Sequence, residues 1–261
     1  MASAHLTMNR MQSLRELRAK LAAGGHTIGS WMQIPHASIA EILGASGYDW
    51  VAADLEHGAI ATDQLPDLFR ALELGGTLPF ARVAQGAAKD CKLALDAGAA
   101  GIIVPMVESA AQVRDMVAAC RWPPAGTRGV GFSRANLFGK RFEAYREEAQ
   151  APFIVAQIEH IRAVEALDEI VAVPGLDALL IGPYDLSASM DLTARFDDEA
   201  FIAALSRIKA CAARSGMPAG VHVVSPDPKL LGARVAEGFR FIAYSIDAVF
   251  LHGAAACPEI P

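Results

Sequence analysis

The sequence predicts a (β/α)8 TIM barrel, an α/β fold, with an N-terminal helix and a long loop after the fourth strand. Eight short apolar runs rich in Val, Ile and Ala recur along 261 residues. They show little polar alternation, as strands of a helix-covered parallel sheet do. A helical stretch separates most neighbouring runs, and eight such units in about 250 residues match a closed barrel better than an open doubly wound sheet. No G-x-G-x-x-G follows the first strand, which argues against a dinucleotide-binding sheet.

The elements follow in order. Positions 1–20 carry no apolar signal core. Arg10, Arg15, Arg18 and Lys20 surround Glu16 there, which predicts an amphipathic first helix rather than a targeting segment. Strand 27–34 leads into helix 38–45, closed by Ser46-Gly47. Strand 50–55 precedes helix 62–74 and Gly75-Gly76, and strand 79–83 precedes helix 87–97 and Gly98. Strand 101–107 is followed by helix 110–120. Glycine just past a helical run is a common stop signal. The rhythm then breaks over 121–150, which holds Trp-Pro-Pro-Ala-Gly, Arg128-Gly-Val-Gly-Phe-Ser-Arg134 and a charged helical stretch at 141–148. Loops this long in compact domains are usually functional or disordered. The glycines and arginines predict either an anion-binding cover or a surface that packs on a neighbouring subunit. Strand 153–158, helix 162–171, strand 178–182, helix 198–214, strand 220–224, helix 229–236 and strand 241–245 complete one domain over 1–261.

Composition narrows the function. Hydrophobic residues make up 53% of the chain and charged ones 20%, with a net charge of -6. A sizeable core is available, and nucleic-acid binding, which needs a basic footprint, is not expected. No apolar run reaches the roughly 18 residues of a membrane span. Cys91, Cys120, Cys211 and Cys257 lack paired spacing, so they read as thiols of a reducing cytoplasm, not as a disulfide frame or zinc site.

Four phrases converge on one end of the predicted barrel: Asp54-Leu-Glu-His57, Ala-Arg82-Val, Gln157-Ile-Glu159 and Gly182-Pro-Tyr-Asp185. Each ends an apolar run, and strand C-termini of a β/α barrel open on the catalytic face. Glu159 and Asp185 would offer an all-oxygen site suited to Mg²⁺ or Mn²⁺, with Co²⁺ also admissible. The alternative for Asp185 is a helix N-cap. His57 suits general-base work, with Asp54, Glu56 or Asp96 orienting it. Arg82, inside an apolar strand, needs an anionic or carbonyl partner: a substrate oxygen or a buried carboxylate. Gln157 shares the interior face with Glu159 and would donate to substrate or to a neighbouring strand. None of the six lysines (Lys20, Lys89, Lys92, Lys140, Lys209, Lys229) lies in a predicted strand. A Schiff-base mechanism would lack its amine, and carbanion chemistry would rely on a metal.

With Val104-Pro-Met-Val107, Pro123-Pro-Ala-Gly-x-Arg-Gly129 and Gly182-Pro-x-Asp-Leu-Ser187 added, the chain resembles the HpcH/HpaI aldolase family from about Gly29 to Phe250. These are metal-dependent class II pyruvate aldolases. The resemblance implies a (β/α)8 barrel and a homo-oligomer, hexamer or trimer, with a swapped C-terminal helix. It implies a divalent metal on Glu159 and Asp185, and an oxoacid carboxylate held by backbone amides from Gly182 through Pro183 and Tyr184 to Asp185. Arg82 and Gln157 would polarise the keto oxygen. His57, backed by Asp54 or Asp96, would move protons through a water. The implied reaction is reversible cleavage of a 4-hydroxy-2-oxoacid to pyruvate and an aldehyde through a metal-stabilised enolate. Within the family, Tyr184 and His222 stand where the heptanedioate-cleaving branch has smaller or aliphatic residues, which predicts a bulkier, more polar pocket lining. The rival readings are a CoA-ester lyase of the citrate-lyase β-subunit type, an oxaloacetate decarboxylase or enolate-coupling enzyme, and a non-catalytic assembly barrel.

Overall fold

The computed structural model describes residues 8–258, so the first seven positions of the predicted N-terminal helix and the last three of the chain lie outside the described residues. Helix α1 (Arg10–Ala22) starts where the Asn9 side chain accepts the Gln12 backbone N–H, satisfying a donor that a first helical turn leaves free. Leu14, Leu17 and Leu21 recur at helical spacing and pack with Leu78, Phe153 and Ala178. Those three begin strands, so α1 seals the strand N-terminal end of the barrel.

Strands β1 (Thr27–Met32), β2 (Trp50–Asp54), β3 (Leu78–Arg82), β4 (Gly101–Val104), β5 (Phe153–Ile158), β6 (Ala178–Ile181), β7 (Ala219–Val223) and β8 (Phe241–Ile246) pair in parallel and in sequence order. β8 returns to β1 and closes the barrel. Every predicted strand is present, with ends moved by a few residues. The fourth stops at Val104 because Pro105 has no N–H to donate and Met106 turns at φ 52°.

Helices α2 (Ala37–Gly44), α3 (Leu65–Leu74), α4 (Ala88–Ala97) and α5 (Ala110–Cys120) cover the first half. α6 (Phe142–Glu148) lies within the long segment. The predicted helix at 162–171 divides at Ala166 into α7 (Ile161–Glu165) and α8 (Leu167–Val171). α9 (Pro183–Ala188), α10 (Glu199–Ser215), α11 (Pro228–Ala236) and α12 (Asp247–Ala254) complete the ring. Among the described residues no helix is long and apolar enough to cross a membrane.

The loop arginines turn inward rather than forming an anion cover. Arg134 pairs with Glu73, and Arg10 bridges Glu73 (3.0 Å) and Glu148 (2.6 Å), which ties the loop to α1, α3 and α6. Arg128 is buried and donates to the Tyr145 hydroxyl at 3.0 Å.

Aromatic rings fill the lumen. Trp50 stacks on Phe241 at 4.5 Å and on Phe80 at 5.5 Å, and Phe153 lies 5.7 Å from Phe241. Glycines on neighbouring strands make the room: Gly29 pairs with Trp50, Gly101 with Phe80 and Gly220 with Phe241. A Cβ on Gly29 would stand 2.1 Å from the Trp50 ring. Gly29→Ala is therefore expected to destabilise the barrel by about 1–3 kcal/mol through overpacking. Urea unfolding measures this, and an unchanged midpoint and slope would refute the large–small fit. The aromatic layer is a floor. Alternation along β2, β3 and β5 then sends Asp54, Arg82 and Gln157 into the mouth above it.

Candidate active site

Arg82 anchors the mouth. Its Nε donates to Asp54 Oδ1 at 2.9 Å and its Nη2 to Asp54 Oδ2 at 2.6 Å, a two-point fork. Nη1 lies 3.2 Å from Glu56 Oε2, and the guanidinium sits 4.4 Å over the Trp31 ring. The pairing follows from register, since Asp54 and Arg82 are direct partners at the ends of β2 and β3. The buried-carboxylate alternative for Arg82 is thus present, and it leaves Nη1 as the edge turned to Glu56.

Asp54 is the hub and is fully buried. Oδ2 also accepts the Gln33 amide at 2.8 Å, and Oδ1 accepts the backbone N–H groups of Glu56 (3.1 Å) and His57 (3.2 Å). Burial pushes its carboxyl up, but Arg82, Gln33 and the His57 N–H outweigh burial and hold it below the ordinary aspartate range. A depressed folded pKa contributes stability above the unfolded value of about 3.9, and that contribution is lost as pH falls through the folded value. Asp54→Ala would leave the buried Arg82 charge with Glu56 alone and without its two-point fork. We expect it to cost about 3–5 kcal/mol near neutral pH, as breaking a buried pair does, with the deficit shrinking below pH 4. Urea titrations across pH measure both parts, and a deficit independent of pH would reject the ionic account.

Glu159 stands just past β5 and is 1% exposed. Its Oε1 accepts the Met106 N–H at 2.6 Å, delivered by the positive-φ turn after β4, and its Oε2 accepts the Gln157 amide at 2.5 Å. Burial raises its pKa; these two bonds lower it and the nearby Asp185 charge raises it, leaving it above the ordinary glutamate range. Gln157 is therefore committed to positioning Glu159, and its Oε1 is buried without a partner. Asp185 lies exposed in the first turn of α9, whose N-cap is Gly182, so the N-cap alternative for Asp185 does not hold. A Cβ on Gly182 would lie 2.3 Å from Glu159 Oε2. Glycine at this point keeps open the space that the carboxylate occupies.

This donor set fits a hard divalent cation. Two mutually repelling carboxylates supply oxygen, and a cation between them would relieve the repulsion. Among the described residues no group of three or more His, Cys, Asp or Glu stands together as a metal cluster. The chain would contribute two ligands, with water and substrate oxygens completing the shell.

Several expected residues sit differently. The Gly182 N–H is spent on the Ile158 carbonyl at 3.3 Å, and Pro183 has none. The amides left for a ligand carboxylate are those of Tyr184 and Asp185, in the unbonded first turn of α9. Tyr184 points outward and meets Phe196 edge-on at 5.0 Å. His57 is held by its backbone, and its exposed imidazole has Glu56 as the nearest acid, 3.8 Å from Nε2. Asp96 is not brought behind His57 within this chain. Helices of the barrel run back from the mouth, so the last turn of α4 lies toward the opposite end, where Arg128 and Lys92 act on Asp96. His222, on the lumen face of β7, packs against Trp31 at 5.9 Å. Burial pulls its pKa down to about 4, so it is neutral near pH 7, and its Nε2 has no partner.

Sequence reasoning left Glu56 in a minor role and missed Gln33, Trp31 and Met106. Glu56 has a pKa raised by burial, eased by Arg82 and worsened by Glu159. Asp54 and Glu56 alternate onto one side, which was the available signal for Glu56. Nothing in the sequence marks the Met106 N–H.

Known aldolases resemble the chain over most of its length. The chain is 38% identical over 246 residues to the 4-hydroxy-2-oxovalerate aldolase of Novosphingobium aromaticivorans, covering 92% of each. It is 38% identical over 244 residues to the hydroxypyruvate/pyruvate aldolase of Roseobacter denitrificans, covering 91% of this chain and 93% of that one. The crystal structure of a HpcH/HpaI aldolase/citrate lyase family protein from Burkholderia cenocepacia superposes with a TM-score of 0.85 at 30% identity, covering 92% of this chain and 96% of that one. Residues 27–253 match the family's sequence pattern from β1 into α12, and the chain belongs to the HpcH/HpaI aldolase/citrate lyase family.

Proposed function

We propose that this chain is a divalent-metal-dependent pyruvate aldolase that reversibly cleaves a 4-hydroxy-2-oxoacid into pyruvate and an aldehyde. The observation that carries the reading is Arg82, a buried guanidinium at the barrel mouth, forked onto Asp54 with Nη1 on Glu56 and near enough to Glu159 to favour its charged form. Mg²⁺, Mn²⁺ or Co²⁺ held by Glu159 and Asp185 would supply Lewis-acid polarisation of the oxoacid. Arg82 stabilises the negative charge that grows on the C2 oxygen as the C3–C4 bond breaks. Because Asp54 already fixes its plane, it needs no reorganisation at that moment. The Tyr184 and Asp185 N–H groups hold the substrate carboxylate. Gln157 and Met106 keep Glu159 oriented. His57, with Glu56 beside it, takes the C4 hydroxyl proton as the aldehyde forms and returns a proton to C3, completing the pyruvate methyl.

The same reading carries a homo-oligomer working in the cytoplasm. Support comes from the long segment, where Val130, Phe132 and Phe138 are 54%, 74% and 68% exposed, an apolar patch of the kind that marks an interface.

Pyruvate release from a panel of 4-hydroxy-2-oxoacids and oxaloacetate tests the reading, using EDTA-stripped protein with each metal restored. Metal-dependent release from the hydroxy-oxoacids is expected. Release from oxaloacetate alone would point to decarboxylation or enolate coupling, and none from any would favour a citrate-lyase-type reaction on a CoA ester.

A further inference from the structure

His222 stands on the lumen face of β7 and meets the Trp31 ring edge-on, with centroids 5.9 Å apart. Trp31 lies under the Arg82 guanidinium at 4.4 Å, so the imidazole borders the catalytic mouth, and the charges of Arg82 and Asp54 both reach it. A bulge fixes its tautomer. The β1–β8 register shifts beyond Gly29, and Ser245 takes φ 54° on the facing strand. The Ser245 carbonyl accepts from His222 there, and from the Ser30 hydroxyl at 3.4 Å. Because His222 Nε2 has no partner, Nδ1 is the nitrogen that donates to Ser245. Nε2 therefore presents a bare lone pair. A buried acceptor without a donor is a cost that a bound donor would remove. Arg82 opposes protonation of the ring, so the missing partner is a neutral donor rather than a cation.

We infer that His222 reads C3 of the oxoacid, its Nε2 accepting a hydrogen bond from a hydroxyl on that carbon. The inference rests on the aldolase reading and names the enolate half that the site favours. In that reading the groups on C2 are divided: the carboxylate goes to the first turn of α9 and the oxygen to Arg82. C3 remains, and the wall beside Arg82 that neither group occupies is formed by Trp31 and His222. A pyruvate methyl placed there leaves Nε2 unsatisfied, whereas a C3 hydroxyl fills it. The favoured donor is then 3-hydroxy-2-oxopropanoate. In the joining direction one C3 proton is removed, the C2 oxygen takes the charge, and C3 attacks the aldehyde carbon. The aldehyde oxygen takes up a proton, which gives a 3,4-dihydroxy-2-oxoacid; cleavage is the reverse.

Steady-state joining to acetaldehyde with Mg²⁺ tests this, with pyruvate and 3-hydroxy-2-oxopropanoate as rival donors. Wild-type kcat/KM should favour the hydroxylated donor by about tenfold or more, because a site that hydrogen-bonds a hydroxyl discriminates against the analogue lacking it. His222→Leu, apolar and of similar bulk, should lower that ratio by about tenfold. His222→Gln, whose amide oxygen can replace Nε2 as acceptor, should restore part of it, a rescue that a purely structural role would not give. Both variants are read in protein with wild-type circular dichroism, and the wild-type ratio is a test by itself. A wild-type preference for pyruvate, or a ratio unchanged in folded His222→Leu because Nε2 meets only water, overturns the inference while the aldolase reading stands. Metal-dependent joining with neither donor overturns both.

Discussion

Glu159→Ala is expected to lose Mn²⁺ affinity by more than about a hundredfold, the upper end of what disturbing a metal's supporting partners costs, and to lose pyruvate release with it. Glu159 is one of two carboxylates that would hold the ion, and it is the one whose orientation is fixed on both oxygens. The fold should survive. Burial already disfavours the charged form of this group, so its removal relieves a strain while leaving the Met106 N–H and Gln157 amide short of an acceptor. Glu159→Gln separates charge from shape, because its amide oxygen can still accept the Met106 N–H. Calorimetric titration with Mn²⁺ should show weak binding in both variants. The pH dependence follows from the raised pKa: a proton competes for the site, so wild-type affinity should fall as pH drops through that elevated value, above the usual glutamate range. Affinity flat from pH 7 to pH 4, or unchanged in either variant, would remove Glu159 from the metal site.

What the sequence revealed, and what it hid, divides along physical lines. The eight strands were legible because each is buried and carries a continuous apolar run bounded by glycine turns. Asp54, Arg82, Gln157 and Glu159 were legible as polar interruptions at the ends of those runs, where only the mouth can accept them. The Asp54–Arg82 fork was half-legible: both side chains end adjacent strands, but their pairing needs the register that only the closed sheet supplies. Met106 was hidden because its contribution is a backbone N–H aimed by a positive φ, which leaves no side-chain signature. The Gly182 amide was over-read for the same reason in reverse, since its hydrogen bond goes to the strand ladder. Asp96 shows the reach of sequence order: it follows Arg82 by one helix, and that helix carries it away from the mouth.

Arg82→Ala is expected to lower kcat by about a hundredfold to a thousandfold, as loss of a preorganised oxyanion donor does, with Mn²⁺ affinity largely kept. The same substitution strands Asp54, which is fully buried, so about 3–5 kcal/mol of stability should disappear as well. A weak, unstable variant alone would not separate a catalytic role from a structural one. Arg82→Lys keeps the charge but cannot form the two-point fork on Asp54, and a lysine ammonium cannot lie flat over Trp31 as the guanidinium does. It should therefore fold better than the alanine variant and still turn over slowly. The decisive protein is the Asp54→Ala, Arg82→Ala double variant. Removing both charges of a buried pair costs less than removing one, so its stability should recover relative to either single change. Its kcat should not recover, because nothing then faces the developing charge on the C2 oxygen. Stability regained with kcat still low assigns Arg82 to the reaction; both regained together would make it only the counter-ion of Asp54, and the enolate charge would have to be met elsewhere in the mouth.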